Sequence, residues 1–180
     1  MEEHFSAIKQ AYDEFYRSLL SSGRIPAMDT GIGYWGISVA DEVFELFKKV
    51  KLDRHVHFLD LGHGDGKVVM IASLFTNASG IEFHPWLVDV SRRMKEKLSH
   101  LPPVSRARLL HGDYHEHSFE PYDVFFIFPD QKFSPKLQEK LLKEASGARL
   151  LVHNSVYQPA LFEKVAEHDI NGTLFHEYRI

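Results

Sequence analysis

Phe58-Leu59-Asp60-Leu61-Gly62-His63-Gly64-Asp65-Gly66-Lys67 is the stretch that decides the fold. An apolar strand ends in an acid, glycine then recurs at every second position, and a helix begins at Lys67. Glycine lets the backbone turn tightly and approach a ligand with no Cβ in the way. The start of the helix adds free N–H groups and a partial positive charge. Such a turn, at the carboxyl end of a strand, is a nucleotide-type binding site.

Outward from this stretch the pattern alternates strand and helix. Strands are predicted at residues 55–60, 78–83, 107–110, 122–128 and 148–153, and helices at 67–75, 85–98 and 135–145. Pro85 suits the first turn of its helix, and Pro102-Pro103 breaks it. The run Tyr122 to Phe128 is almost wholly apolar, as for a strand buried on both faces. Residues 162–167 and 173–179 alternate and flank Asn171-Gly172, a strong hairpin signal. Ahead of the first strand, Phe5, Ile8, Ala11, Tyr12, Phe15 and Leu19 fall on one stripe of a helix that Ser21-Ser22-Gly23 ends. Residues 24–36 read as a loop, and Ser38 as the N-cap of a helix to Val50, with Asp41 completing an imperfect capping box. The expected fold is α/β. It is a doubly wound, mostly parallel seven-stranded sheet with a C-terminal antiparallel β-hairpin and an N-terminal helix. Residues 1–37 form a helix and gating loop, and 38–180 the ligand-binding domain.

The glycine turn reads G-x-G-x-G, whereas the dinucleotide fingerprint is G-x-G-x-x-G. A pyrophosphate beside Asp60 is repelled, and a cationic amino-acid group is welcomed. That contrast favours S-adenosylmethionine (SAM), which has no phosphate and carries an ammonium and a sulfonium. It disfavours an NAD-dependent oxidoreductase. Glu82 ends the second strand of the alternation, where an acid accepts hydrogen bonds from ribose hydroxyls. Asp113, in His111-Gly112-Asp113-Tyr114, follows the third strand and is placed to accept from an adenine amino group, with Tyr114 packing on the ring. Any one of these acids is bland alone. Three at the ends of three consecutive strands, the first with a glycine loop, are specific.

These residues resemble the class I, seven-stranded, Rossmann-like SAM-dependent methyltransferases over roughly residues 38–180. Leu59 to Gly66 is similar to that family's first motif, Gly80-Ile81-Glu82 to its second and His111-Gly112-Asp113 to its third. The resemblance implies a transferase with SAM as cofactor. Asp60, Gly62, His63, Gly64 and Gly66 then hold the methionine portion, Glu82 the ribose, and Asp113 with Tyr114 the adenine. A narrower likeness, to small non-SET protein lysine methyltransferases, is carried by the Thr30 to Val39 loop and by Gly80-Ile81-Glu82-Phe83. The methyl acceptor is therefore expected to be a protein lysine.

Target chemistry in this family sits after the fourth strand. Amide and base-amine methyltransferases carry Asn/Asp-Pro-Pro-Tyr/Phe there, and this chain has Phe128-Pro129-Asp130-Gln131. The polar clamp for planar amides is missing. Phe128-Pro129-Asp130 resembles part of a motif of tRNA guanine-N7 methyltransferases, without that family's arginine-rich surroundings. A tRNA guanine or a small molecule remains an alternative acceptor, as does a SAM-binding module without turnover. Asp130 is the candidate to orient an amine, and Tyr34 and Trp35 to close over the cofactor or cage the acceptor. The bland alternative is that both rings pack the N-terminal helix onto the sheet.

His115, Glu116 and His117 have no third ligand at a defined spacing, so no metal is expected. His63 is expected to point outward from its loop. His153 and Asn154 end the fifth strand, either as satisfied polar groups or facing the substrate.

Composition removes other classes. With 21 Lys and Arg against 25 Asp and Glu, the net charge is −4, which offers no general attraction to nucleic acid. Hydrophobic residues make up 44% and charged residues 26%, as in a folded globular domain. The absence of cysteine excludes disulfides, thiolate metal sites and a thiol nucleophile. No apolar run reaches the length of a membrane span, and the acidic start is unlike a signal peptide. A reducing, cytoplasmic setting is the expectation.

Overall fold

The computed structural model describes residues 1–154 and 156–180. Helix α1 (Glu2–Ser21) is followed by two short strands, β1 (Met28–Asp29) and β2 (Tyr34–Trp35), which pair antiparallel. Then come α2 (Ala40–Lys49), β3 (His57–Leu61), α3 (Lys67–Ala72), β4 (Asn77–Glu82), α4 (Pro85–Lys97) and β5 (Ala107–His111). The chain continues through β6 (Val124–Ile127), α5 (Pro135–Glu144), β7 (Arg149–His153), β8 (Glu163–Ile170) and β9 (Thr173–Arg179). The main sheet has seven strands in the order β5-β4-β3-β6-β7-β9-β8. Strands β3 to β7 pair in parallel, and β9 lies antiparallel between β7 and β8. The expected doubly wound sheet and terminal hairpin are the architecture observed.

Each sheet face has its own core. On one, α1 to α4 pack Ile8, Phe44, Phe47, Val69 and Leu87 against Phe58 and Phe126. On the other, α5 packs Leu137 and Leu141 against Leu59, Phe125 and Leu150. All four residues of β6 are buried, which is why its run carries no polar alternation. In the β8–β9 hairpin, Asn171 and Gly172 take φ of 54° and 88°, and Gly172 N–H donates to Asp169.

Local competition moves several boundaries. Strand β3 starts at His57 because the Asp123 carboxylate takes the Val56 and His57 N–H groups. Helix α3 stops at Ala72, and Leu74 and Phe75 turn back on Ile71 and Ala72 with tighter i→i+3 bonds. Ser38 does not cap α2. The cap position is Val39, with no side-chain bond, and the Ser38 hydroxyl lies 3.3 Å from His153 Nδ1 instead. No described helix is long and apolar enough to cross a membrane.

Candidate cofactor and acceptor site

The glycine turn leaves β3 at the carboxyl edge of the parallel strands. The Gly62 and His63 N–H groups donate to Ile81 of β4, and Gly66 N–H donates back to His63. Gly64 and Gly66 take φ of +55° and +84°, the left-handed region that side chains resist. Gly66 is needed for packing as well. A Cβ there would lie 2.8 Å from Cβ of Ser91, so this glycine lets α3 approach α4.

Glu82 is buried beside the turn. One carboxylate oxygen accepts the Gly64 N–H at 3.0 Å and the other the His84 N–H at 2.8 Å. Asp60, 3% exposed, is the penultimate residue of the neighbouring β3. Burial pushes its carboxyl well above the usual range, and the carboxylates of Glu82 and Asp65 push it further. The sequence-predicted Asp60, Gly64 and Glu82 are thus brought together. Asp113 lies at the end of β5, the strand next to β4, where its carboxylate accepts the His115 N–H at 2.8 Å. Tyr114 is partly buried, with its ring 4.7 Å from that of His115.

His63 does not point outward. It is 4% exposed and folds beneath Gly80 of β4, where a Cβ would stand 2.6 Å from the His63 Cβ. Its Nδ1 donates to the Gly64 carbonyl, and its Nε2 is buried without a hydrogen-bond partner. Burial pulls its pKa down to about 4. The imidazole is a neutral spacer under the loop.

Four residues in and beneath the loop were given no site role by the sequence. Tyr12 of α1 donates to the Asp65 carbonyl at 3.0 Å, and Tyr16 to the Asp65 carboxylate at 2.6 Å. Asp65 accepts the Lys67 N–H, and the buried Lys67 ammonium sits 4.6 Å from the Tyr16 ring. Burial lowers the Lys67 pKa against the pull of Asp65. The available signal was the i, i+4 tyrosine pair on α1 with an acid and a base inside the glycine loop.

Just after β6, Phe128 is 42% exposed and stacks at 4.0 Å on His153, which stacks at 4.5 Å on Phe175. Burial first, and then the charge of Lys67, pulls His153 down to about 4. Asn154 Nδ2 donates to Pro129 and fixes the turn after β6. Asp130 is exposed, and its carboxylate accepts the Tyr34 N–H. Tyr34 is exposed and Trp35 buried, so the two rings part company. Trp35 meets Trp86 edge-on at 5.8 Å and lies on Gly64, so neither alternative drawn from the sequence describes the pair as a whole. His117 Nε2 lies 3.1 Å from the Tyr122 hydroxyl. Among the described residues, no three His, Asp or Glu side chains are placed to hold a metal ion.

Of the depressed histidines, His63 and His153 shift furthest, with a consequence for stability. In the unfolded chain they titrate near 6.5, and in the fold near 4. Between those values the unfolded chain binds protons that the fold refuses. Stability present above pH 6.5 is therefore lost as the pH falls toward 4, by roughly 1–3 kcal/mol for each histidine. Urea unfolding from pH 7 to 4 should show this loss, and His153→Phe, which keeps the ring stack, should make it shallower. An unchanged slope in that variant would remove His153 from the explanation.

No protein-family model matches the chain, and no curated protein matches it. Solved structures do. An RNA methyltransferase from Salinibacter ruber, in complex with S-adenosyl-L-homocysteine, is 20% identical with a TM-score of 0.67, over 81% of this chain and 94% of that one. The mitomycin 7-O-methyltransferase MmcR is 14% identical with a TM-score of 0.61, over 77% of this chain and 53% of that one. A mutant of MtNAS in complex with S-adenosylmethionine is 13% identical with a TM-score of 0.62, over 78% of this chain and 62% of that one. At these identities the likeness is one of fold. The chain has the Rossmann-like fold of the class I SAM-dependent methyltransferases.

Proposed function

We propose that the chain is a SAM-dependent methyltransferase whose acceptor is a lysine amine of a protein. The observation that carries the cofactor is the pair of buried carboxylates, Asp60 and Glu82, beside a loop whose glycines hold left-handed backbone that side chains resist. The charged groups that act on Asp60 share its sign, so the cleft calls for a cation. An ammonium and a sulfonium meet that demand, and a pyrophosphate does not.

When bound, SAM supplies a methyl on a sulfonium that leaves as a neutral thioether. The protein's part is to bind, orient and exclude water, and positioning of this kind contributes about 7–11 kcal/mol. Asp60 faces the cationic amino-acid end, Glu82 the ribose hydroxyls, and Asp113 with Tyr114 the adenine. An acceptor lysine must arrive uncharged. His153, neutral at ordinary pH, adds no positive charge beside it. Asp130 orients the amine, and Tyr34 contacts its stem. A cytoplasmic setting suits a chain without cysteine.

A second reading, an RNA acceptor, is favoured by Phe128-Pro129-Asp130 at the end of β6 and by the likeness to the Salinibacter ruber enzyme. One experiment separates them. Cell extract is incubated with the protein and methyl-labelled SAM, and the protein, RNA and small-molecule fractions are counted. Label should enter protein, resist ribonuclease and be recovered as methyl-lysine. Label recovered from tRNA as N7-methylguanine replaces the lysine reading. SAM bound without turnover leaves a binding module. In the same protein Glu82→Ala should weaken SAM binding by roughly 1.5–3 kcal/mol, the range for a hydrogen bond to a charged group. Full affinity in a folded variant would take Glu82 out of the site.

A further inference from the structure

The strands β1 and β2 form a flap of two residue pairs, Met28 with Trp35 and Asp29 with Tyr34. A ribbon this short has little stability of its own. Its tip is closed by Thr30, whose N–H and hydroxyl both donate to the Gly33 carbonyl. Along the flap Ile32 is 59% exposed and Tyr34 57%, yet Trp35 is 6% exposed. Two contacts hold the flap down. The first is Trp35 itself. A Cβ on Gly64 would lie 2.7 Å from Cδ1 and 2.9 Å from Nε1 of the indole, so the ring rests directly on the middle of the glycine turn. Its other side meets Trp86, just beyond Glu82. The indole therefore spans from the glycine turn to the turn after β4, which is the cleft assigned above to the cofactor. The second contact is Asp130. Its carboxylate accepts the Tyr34 N–H and abuts Gly33, where a Cβ would stand 2.6 Å from Oδ2.

We propose that Trp35 is an internal plug of the cofactor cleft and Asp130 its latch, so that cofactor entry and the release of Asp130 toward the acceptor are one event. The proposal rests on the cofactor reading above. With the plug in place Gly64, the middle of the glycine turn, is covered, and the carboxylate proposed to orient the amine is spent on a backbone N–H. When the flap lifts, both are freed together. The chain then binds its acceptor productively only after the cofactor, because the acceptor-side acid is committed until the cleft fills. The flap also lowers the apparent cofactor affinity by the fraction of molecules in which it is open.

The test uses the full chain and S-adenosylhomocysteine as probe. Trp35 and Trp86 are its two tryptophans. In Trp86→Phe, Trp35 reports alone, and its emission should move to longer wavelength as the probe saturates the protein. By calorimetry, Trp35→Ala and Asp130→Ala should each bind the probe about tenfold more tightly than the unaltered chain, since either change raises the open fraction. Asp130 is exposed, so its variant keeps the test intact should Trp35→Ala fail to fold. Probe that binds while Trp35 emission stays fixed, or variants that bind no more tightly, would make Trp35 a wall of the cleft and overturn the plug alone. No binding by the unaltered chain or by either variant would remove the cofactor reading, and the plug with it.

Discussion

Asp60→Asn is expected to stabilise the folded chain while weakening its hold on SAM. The carboxylate is buried, and the charges acting on it are those of Glu82 and Asp65. Asn keeps the shape and removes the charge. The gain near neutral pH should be about 1–3 kcal/mol, the scale on which an uncompensated buried polar group costs stability in proteins. For a chain of this size that raises the midpoint of thermal unfolding by roughly 2–4 °C per kcal/mol. The sign with pH follows from the raised pKa. A group raised in the fold contributes stability below its unfolded value, and that contribution is lost as the pH rises. The advantage of Asn therefore grows with pH and vanishes in acid, where Asp60 is itself neutral. SAM affinity should fall roughly 10- to 100-fold, or about 1.4–2.7 kcal/mol. Urea unfolding at pH 4 and 8 with calorimetry of SAM binding checks both halves. A variant that is less stable, or that binds SAM at full strength, would show that Asp60 serves packing.

That trade sits on the part of the molecule most open to sequence reading. Strong periodic signals survived folding. The glycine turn, the apolar β6 and Asn171-Gly172 each carry a local pattern that tertiary structure had no reason to override. The acids at 60, 82 and 113 were legible because each lies within two residues of the end of a strand. Other features were set by partners far along the chain. Whether His63 faces in or out depends on Gly80, in the next strand, lacking a side chain. Ser38 has good capping chemistry, yet it lies beside His153. The flap strands hold two residues each, too few to show a period of two, so residues 24–36 read as loop. Trp86 falls within the expected helix at 85–98, and only the fold sets Trp35 against it.

Gly66→Ala should be the costliest small substitution in the cleft. At φ +84° an added Cβ is strained by about 1–2 kcal/mol. It must also displace Cβ of Ser91 at 2.8 Å and Leu109 at 3.3 Å. Ser91 is fully buried, so relief requires α3 and α4 to part, and overpacking of this kind costs about 1–3 kcal/mol. Together the loss is roughly 2–5 kcal/mol. Gly36→Ala is the control. Nothing lies within 4 Å of a Cβ there, and the change should stay within about 0.5 kcal/mol. Denaturant midpoints of the two variants decide, and a Gly66→Ala protein within 1 kcal/mol of the unaltered chain would mean that the α3–α4 contact yields easily.

The placing of β9 between β7 and β8 bears on how the chain is made. During synthesis β3, β4, β5, β6 and β7 emerge in turn, and each can join the growing parallel sheet. Strand β7 then waits, one side unpaired, until β8 and β9 have both left the ribosome and β9 has slotted in beside it. Its residues Leu150, Leu151 and Val152 are all apolar. For that interval the nascent chain carries a sticky open edge, the kind that recruits a neighbouring chain. A chain truncated after Ile170, which lacks β9, should keep that edge open and raise the aggregated fraction. If it does not, β7 is shielded before β9 arrives.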